Sequence, residues 1–308
     1  MAYLTELMGR LLAGAASIDP ARRQRHAALL QSLQNADGGF PGRLGPSDPY
    51  YTSFALRGLA LTGGLTGPVA HRAADYLREL ATRPLGLVDQ ASVIFGATVL
   101  QTLAGAAVFA SADDARSWLR RALEAWRSSD GGFVKAPHTQ ASSTYCTFLA
   151  VMAAQLVGAP LAEPGRIAAL VRSRQRDDGG FVELDVMHRG GTNPTAAGVA
   201  VLRVLDALDS ASAERAVRFL LAMQNAEGGF RAHGRIPVAD LLSTFTALTA
   251  LGDLGALERA DAAAARRYIA RCEDPNGGFG GGCGDAVPDA EYTFYGLAAE
   301  ALLLAAGH

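Results

Sequence analysis

The tripeptide Gly-Gly-Phe recurs along the chain, ending at Phe40, Phe133, Phe181, Phe230 and Phe279. The last four copies stand 48, 49 and 49 residues apart, and the first gap of 93 is close to two periods. One copy has therefore lost its motif, and Pro84-Leu-Gly-Leu-Val-Asp89 stands where its remnant falls. A fixed period of this length means a repeat architecture, in which each unit buries its apolar face only against its neighbours. Six units account for the 308 residues as one domain over 1–308.

Each unit reads alike. A helical stretch precedes the motif, as in Ala21 to Leu33 or Ala213 to Met223, and carries charges on one face. A polar loop follows. A second and more apolar helix comes next, over Thr52–Leu61, Thr144–Val157, Thr195–Leu208, Thr244–Leu251 and Thr293–Ala305. A helix apolar all round is a buried helix. Amphipathic outer helices alternating with buried inner ones describe two concentric rings. An open stack of repeats needs polar caps at its ends. The final helix here is as apolar as the interior ones, so the ends are expected to meet. The glycines supply the positive φ of a turn leaving the outer helix. The phenylalanine tucks beneath that turn, worth roughly 1.5–3 kcal/mol when fully buried. No useful stretch alternates with the period of a strand.

Composition narrows the setting. Hydrophobic residues make up 49% and charged residues 19%, with a net charge of −2, so no basic field points to nucleic acid. Cys146, Cys272 and Cys283 are an odd count without close pairs, which argues against a disulfide framework and suits a reducing compartment. The N-terminal stretch reads as a first amphipathic helix rather than a signal peptide. No run is expected to span a membrane: the longest weakly polar stretch, Phe148 to Ala162, is broken by Gln155, Gly158 and Pro160. A cytoplasmic address is the expectation.

Gln34-x-x-x-Gly38-Gly-Phe40, Gln175-x-x-x-Gly179-Gly-Phe181 and Gln224-x-x-x-Gly228-Gly-Phe230 resemble the repeat shared by terpene (squalene) cyclases and protein prenyltransferase β-subunits. Glu273-x-x-x-Gly277-Gly-Phe279 is a near copy. The resemblance spans nearly the whole chain. It implies an all-α closed toroid, an (α/α)6 double ring of six hairpins around a central apolar cavity. It also implies an isoprenoid chain in that cavity and chemistry at the starts of the inner helices. In size and layout the chain is most similar to the prenyltransferase β-subunits. It does not choose a reaction.

Four residues before each threonine that opens an inner helix stand Asp48, Gln140, Gly191, Asp240 and Asp289. A carboxylate there binds the free amides of a helix start. In a closed ring, however, units five, six and one are neighbours, and Asp240, Asp289, Glu291 and Asp48 would converge on one sector of the mouth. Such a cluster either holds a divalent cation or keeps a proton as an acid. The resemblance implies an Asp-x-Cys and a His as zinc ligands. The Asp falls on Asp240, but Leu242 and Tyr292 stand at the other two positions, so the usual zinc site is not expected. Asp289-Ala-Glu291 offers harder oxygen ligands, which favour Mg²⁺. The resemblance to class II cyclases implies an Asp-x-Asp-Asp acid. Gly191-Thr-Asn193-Pro194 stands there instead, so acid-started cyclisation needs a relocated donor, Asp289 or Glu291.

The diphosphate-gripping loops of the prenyltransferases align approximately with His188-Arg189 and His233-Gly-Arg235. Arginine offers a planar fork for phosphate oxygens. Tyr51, Tyr145 and Tyr292, with Tyr50, Phe54, Phe148, Phe245, Phe294 and Tyr295, lie at inner-helix starts, where they either line an isoprenoid pocket or pack the core. Cys283 lies in a flexible glycine-rich loop, as an incidental thiol or a reactive one. Three functions remain open. One is prenyl transfer from an isoprenoid diphosphate, with Asp240, Asp289 and Glu291 orienting a metal or acceptor. Another is a one-domain terpene cyclase with a relocated acid. The last is a non-catalytic subunit that encloses a lipid. A partner chain or a homodimer is compatible with each.

Overall fold

The computed structural model describes residues 2–136 and 141–307. Helix α1 (Tyr3–Ala15) precedes six helical hairpins. The outer helices are α2 (Pro20–Ser32), α4 (Gly67–Leu80), α6 (Ala112–Ala125), α8 (Pro164–Ser173), α10 (Ser210–Met223) and α12 (Ala262–Arg271). The inner helices are α3 (Pro49–Thr62), α5 (Leu87–Ala104), α7 (Thr144–Val157), α9 (Thr192–Val204), α11 (Leu241–Asp253) and α13 (Ala290–Ala305). Each inner helix packs on the next, and α13 packs on α3, so the ring closes. Each outer helix packs on the inner helix that follows it. Among the described residues there is no strand, only single bridges such as Gln175 to Phe181 and Phe181 to Gly191.

The repeat motif works as a fastening with three parts. All five motif phenylalanines are buried. Each gives its backbone N–H to a threonine hydroxyl on the first turn of the inner helix: Thr52 at 2.9 Å, Thr147 at 3.2 Å, Thr195 at 2.8 Å, Thr244 at 3.0 Å and Thr293 at 3.2 Å. A buried amide left without an acceptor is costly, which accounts for a threonine in every one of these units. In unit three the equivalent threonine is Thr147 rather than Thr144, and the helix cap is Ser143. Gln140, expected at the cap, lies outside the described residues.

The motif glutamine ties one unit to the next. Gln175 Nε2 donates to Gly179 O of its own turn and to Ser212 O at the start of the next outer helix, both at 2.9 Å. Gln34 and Gln224 repeat this pairing toward Val69 O and Asp261 O. The first glycine of the turn sits against that same neighbouring helix. At Gly38, with φ 91°, an added Cβ would lie 2.2 Å from Arg72 O. Only glycine fits both the turn and the contact.

At the seam between units six and one the brace is charged. Glu273 replaces the glutamine and accepts from Arg22 Nη2 at 2.6 Å and Nε at 3.0 Å. The Nε2 atom of buried His26 lies 3.2 Å from its other side, while His26 Nδ1 accepts from Gly278 N at 2.8 Å. Arg22 also forks onto Glu300 at 2.8 Å. Burial opposes ionisation of Glu273, but the bonds from His26 and Arg22 win and hold it down at about 2.

Two expectations are corrected. Unit two has no turn motif at all: α4 passes through a short link into α5, whose 18 residues make it the longest inner helix. By length and composition α5 is apolar enough to cross a membrane, with a mean hydropathy of 1.3, although no run of that kind was expected. It is the inner helix of unit two, packed between α3 and α7. Helix α1, for its part, joins neither ring but packs against α13, α7 and α3. Tyr3 N donates to Gln155 Oε1 at 2.8 Å, and Arg10 reaches Asp253 at 2.7 Å. Those partners end α7 and α11, so α1 lies across the end of the ring opposite the inner-helix starts. Gly14 allows its close approach: a Cβ there would fall 1.9 Å from Ala301 O.

Candidate active site

The ring mouth is built from inner-helix N-termini and the loops that precede them. Consecutive loops are joined by backbone bonds, Thr144 N to Glu183 O at 3.0 Å, Thr192 N to Ala232 O at 2.8 Å and Leu241 N to Gly281 O at 2.9 Å. At the seam between units six and one a side chain takes this role. Arg43 forms ion pairs with Asp285 and, at 3.2 Å, with Asp289. Arg43 lowers the Asp285 carboxyl below its usual range. Burial raises Asp289 despite the bonds from Tyr292 N and Arg43.

Each aspartate expected to converge on this sector caps its own helix. Asp48 accepts from Tyr50 N at 2.8 Å, Asp240 from Ser243 N at 2.6 Å and Asp289 from Tyr292 N at 2.8 Å. The second oxygen of Asp240 takes the Ser243 hydroxyl at 2.8 Å. Both of its oxygens are thus spent on α11. Among the described residues no three His, Cys, Asp or Glu side chains form a group able to hold a metal ion. Asp240, Asp289 and Glu291 therefore do not stand together as a three-donor set.

A cavity of about 560 Å³ opens at the seam, lined by Arg43, Asp48, Tyr51, Asp289, Glu291 and Tyr292 among others. It brings together three of the four carboxylates expected to converge, Asp48, Asp289 and Glu291, and two of the three expected tyrosines, Tyr51 and Tyr292. Of its acids, Asp289 is buried and Glu291 is half-buried. Tyr50 Oη donates to Glu291 Oε1 at 2.6 Å. Tyr295, one turn along α13, lies close enough to lower the Glu291 carboxyl, and Tyr145 on α7 lies near Tyr50. Glu291, Tyr50, Tyr295 and Tyr145 thus meet across the ring from three inner helices. Burial and the Asp289 charge raise the Glu291 carboxyl, while Tyr50, Tyr295 and Arg57 pull it back. Burial likewise raises Tyr145 to about 12.

Arg57 lies two turns below, on a helix that is otherwise uncharged. Its guanidinium carbon rests 4.1 Å from the Phe54 ring centroid and 4.5 Å from that of Phe294. It donates to Ser53 O and Ser53 Oγ, both at 3.1 Å. The aromatic wall continues through Tyr295, 5.0 Å from Phe54, and Phe245, 5.5 Å from Phe294. These rings hold one cation in the resting protein, the arrangement that favours positive charge over a ring face. Tyr50 and Tyr295 are among the aromatics expected at inner-helix starts, and Arg57 is the residue added to the site. Arg57 had a signal, a lone charge inside an apolar helix. Tyr295 had a weaker one, four residues after Glu291.

The expected diphosphate residues sit elsewhere on the rim. His188, Arg189 and Arg235 are exposed and His233 is half-buried, in the loops before α9 and α11. Their one side-chain bond among the described residues is local, His233 Nδ1 accepting from Arg235 N at 3.2 Å. Asn193, at the position of the cyclase acid, instead bonds the Thr246 hydroxyl at 2.7 Å.

The chain belongs to the prenyltransferase alpha-alpha toroid domain family, which it matches over residues 8–80, 87–233 and 163–307. Among solved structures it is similar to Candida albicans protein geranylgeranyltransferase-I complexed with GGPP, with 13% identity, a TM-score of 0.69 and 90% of each chain covered. It is similar to the type II terpene cyclase MstE from Scytonema, with 17% identity and a TM-score of 0.60 over 95% of this chain and 98% of that one. It is also similar to the GH76A alpha-1,6-mannanase from Salegentibacter, with 12% identity and a TM-score of 0.67 over 92% of this chain and 98% of that one. At these identities the likeness is one of fold. No curated protein matches the chain.

Proposed function

We propose that this protein is an isoprenoid-processing enzyme of the one-domain cyclase type, with Glu291 as its acid. The observation that carries this reading is the setting of Glu291, enclosed at the ring mouth and bonded by Tyr50 at 2.6 Å. Burial raises its carboxyl above the ordinary range, which favours the protonated form. When that proton passes to an alkene carbon, the hydroxyls of Tyr50 and Tyr295 are already placed to receive the carboxylate that forms. Preorganised donors aimed at developing charge are the larger part of such catalysis. The carbocation left on the isoprenoid faces the rings of Tyr51 and Tyr292, which line the cavity. Loss of a proton from an adjacent carbon closes the reaction and leaves the head group in place.

A second reading, prenyl transfer from an isoprenoid diphosphate, is favoured by the unpaired basic side chains His188, Arg189 and Arg235 on the same rim. Turnover of geranylgeranyl diphosphate separates the two. The acid reading expects a cyclised product with diphosphate retained. In the Glu291→Gln variant it expects turnover reduced by about 10²-fold or more while binding by calorimetry is kept. Release of inorganic diphosphate, lost in His233→Ala/Arg235→Ala but not in Glu291→Gln, establishes the transfer reading instead.

A further inference from the structure

Cys272 and Cys283 lie 11 residues apart, and the fold brings their sulfurs to 3.9 Å. The spacing in sequence gave no hint of this, because Cys272 closes α12 while Cys283 sits past the turn in the Gly280-Gly-Gly-Cys-Gly loop. The two thiols are unlike. Cys272 is buried and Cys283 is exposed. The Arg271 guanidinium lies beside Cys283, whose proximity raises the Arg271 pKa. Cys272 is raised to about 12, by burial first and then by Cys283. An accessible thiol beside a guanidinium, backed by a buried thiol at contact distance, is the layout of an attacking and a resolving pair.

We infer that Cys283 is a thiol-modification site for low-molecular-weight disulfides, with Cys272 as its resolving thiol. The Cys283 thiolate attacks one sulfur of the small disulfide, forms a mixed disulfide and releases one small thiolate. Cys272 then gives up its proton and attacks Cys283 Sγ. The Cys272–Cys283 bond forms and the second small thiolate leaves. Two protein thiols are oxidised and one small disulfide is reduced to two thiols.

The loop that carries Cys283 is part of the mouth. Gly281 O accepts from Leu241 N at 2.9 Å, Gly281 N donates to Asp285 at 3.0 Å, and Asp285 pairs with Arg43 on the cavity wall. Glycines at four of the five positions around the thiol, with Gly284 at φ 95°, let the loop close the remaining gap. Bridging requires the sulfurs to move from 3.9 Å to about 2.05 Å. The bond would tie the loop to the end of α12 and hold that side of the mouth.

The test uses the full chain, reduced and then treated with oxidised glutathione, followed by intact mass and non-reducing peptide mapping. The wild type is expected to lose two hydrogens, carry no stable adduct and yield a cross-linked Cys272–Cys283 peptide. Cys272→Ser is expected to stop at one glutathione on Cys283, and Cys283→Ser to remain unmodified. Cys272→Ala gives the same trapped adduct if serine disturbs the buried site. A stable glutathione adduct on the wild type, or no reaction at Cys283, overturns the inference. So does a bridge that forms through Cys146.

Discussion

Glu273→Gln restores to unit six the glutamine that braces three other units, yet it is expected to weaken the ring. In those units the amide nitrogen donates to backbone carbonyls, while Oε1 accepts from Arg72, Arg215 or Asp261 N. At the seam they are Arg22 and His26, and Arg22 is shared with Glu300. A neutral amide cannot accept the two Arg22 bonds with charge, and it presents donors to a guanidinium. Glu273 drops from the ordinary 4.5 to about 2 on folding. By linkage that difference is worth about 3 kcal/mol at face value. Solvent screening at a site open on one side reduces this to about 1–2 kcal/mol. The folded value lies below the unfolded one, so this stability is present above the unfolded value of 4.5 and is lost as pH falls toward about 2. Urea-unfolding midpoints of wild type and variant, taken across this window and at neutral pH, test the reasoning. The variant is expected to unfold at lower urea at neutral pH, with the gap closing as the solution is acidified. Equal midpoints at neutral pH, or a gap independent of pH, would refute a charge-based closure of the ring.

Thr244→Val keeps the shape of the side chain but leaves Phe230 N without its acceptor in the core, and is expected to cost about 1–3 kcal/mol by denaturant unfolding. Gly14→Ala drives a methyl into Ala301 O and should destabilise by about 1–3 kcal/mol, with faster proteolytic clipping within α1. Tyr50→Phe removes a hydrogen bond that favours the Glu291 carboxylate. Its activity should fall, and the pH at which the acid limb is lost should move upward from that of the wild type, as read from kcat against pH.

The fold was legible because the repeat carries its own chemistry: a glycine pair for the turn, a phenylalanine to bury and a threonine to receive its amide. The register slipped in unit three, where Thr144 and Thr147 are both available and only the bond from Phe133 distinguishes them. Unit two hid its boundary because a helix that starts without a turn leaves no punctuation. The place of α1 was not legible, since an amphipathic pattern says that one face is buried and not against what. At the site, periodicity put Asp240, Asp289 and Glu291 at equivalent heights but could not show that each Asp is spent on its own helix start. Glu291 differs because it stands inside the first turn, past the cap, and points to the ring rather than to its own amides. The pairing of Cys272 with Cys283 depends on how the loop folds back on α12, which spacing does not encode.

The central claim is that Glu291 delivers the proton that starts the reaction, and turnover of geranylgeranyl diphosphate in D₂O tests it most directly. The account predicts a cyclised product that carries one solvent-derived deuterium and retains its diphosphate, with no such product from Glu291→Gln. Product without deuterium, or the same labelled product from Glu291→Gln, would contradict it.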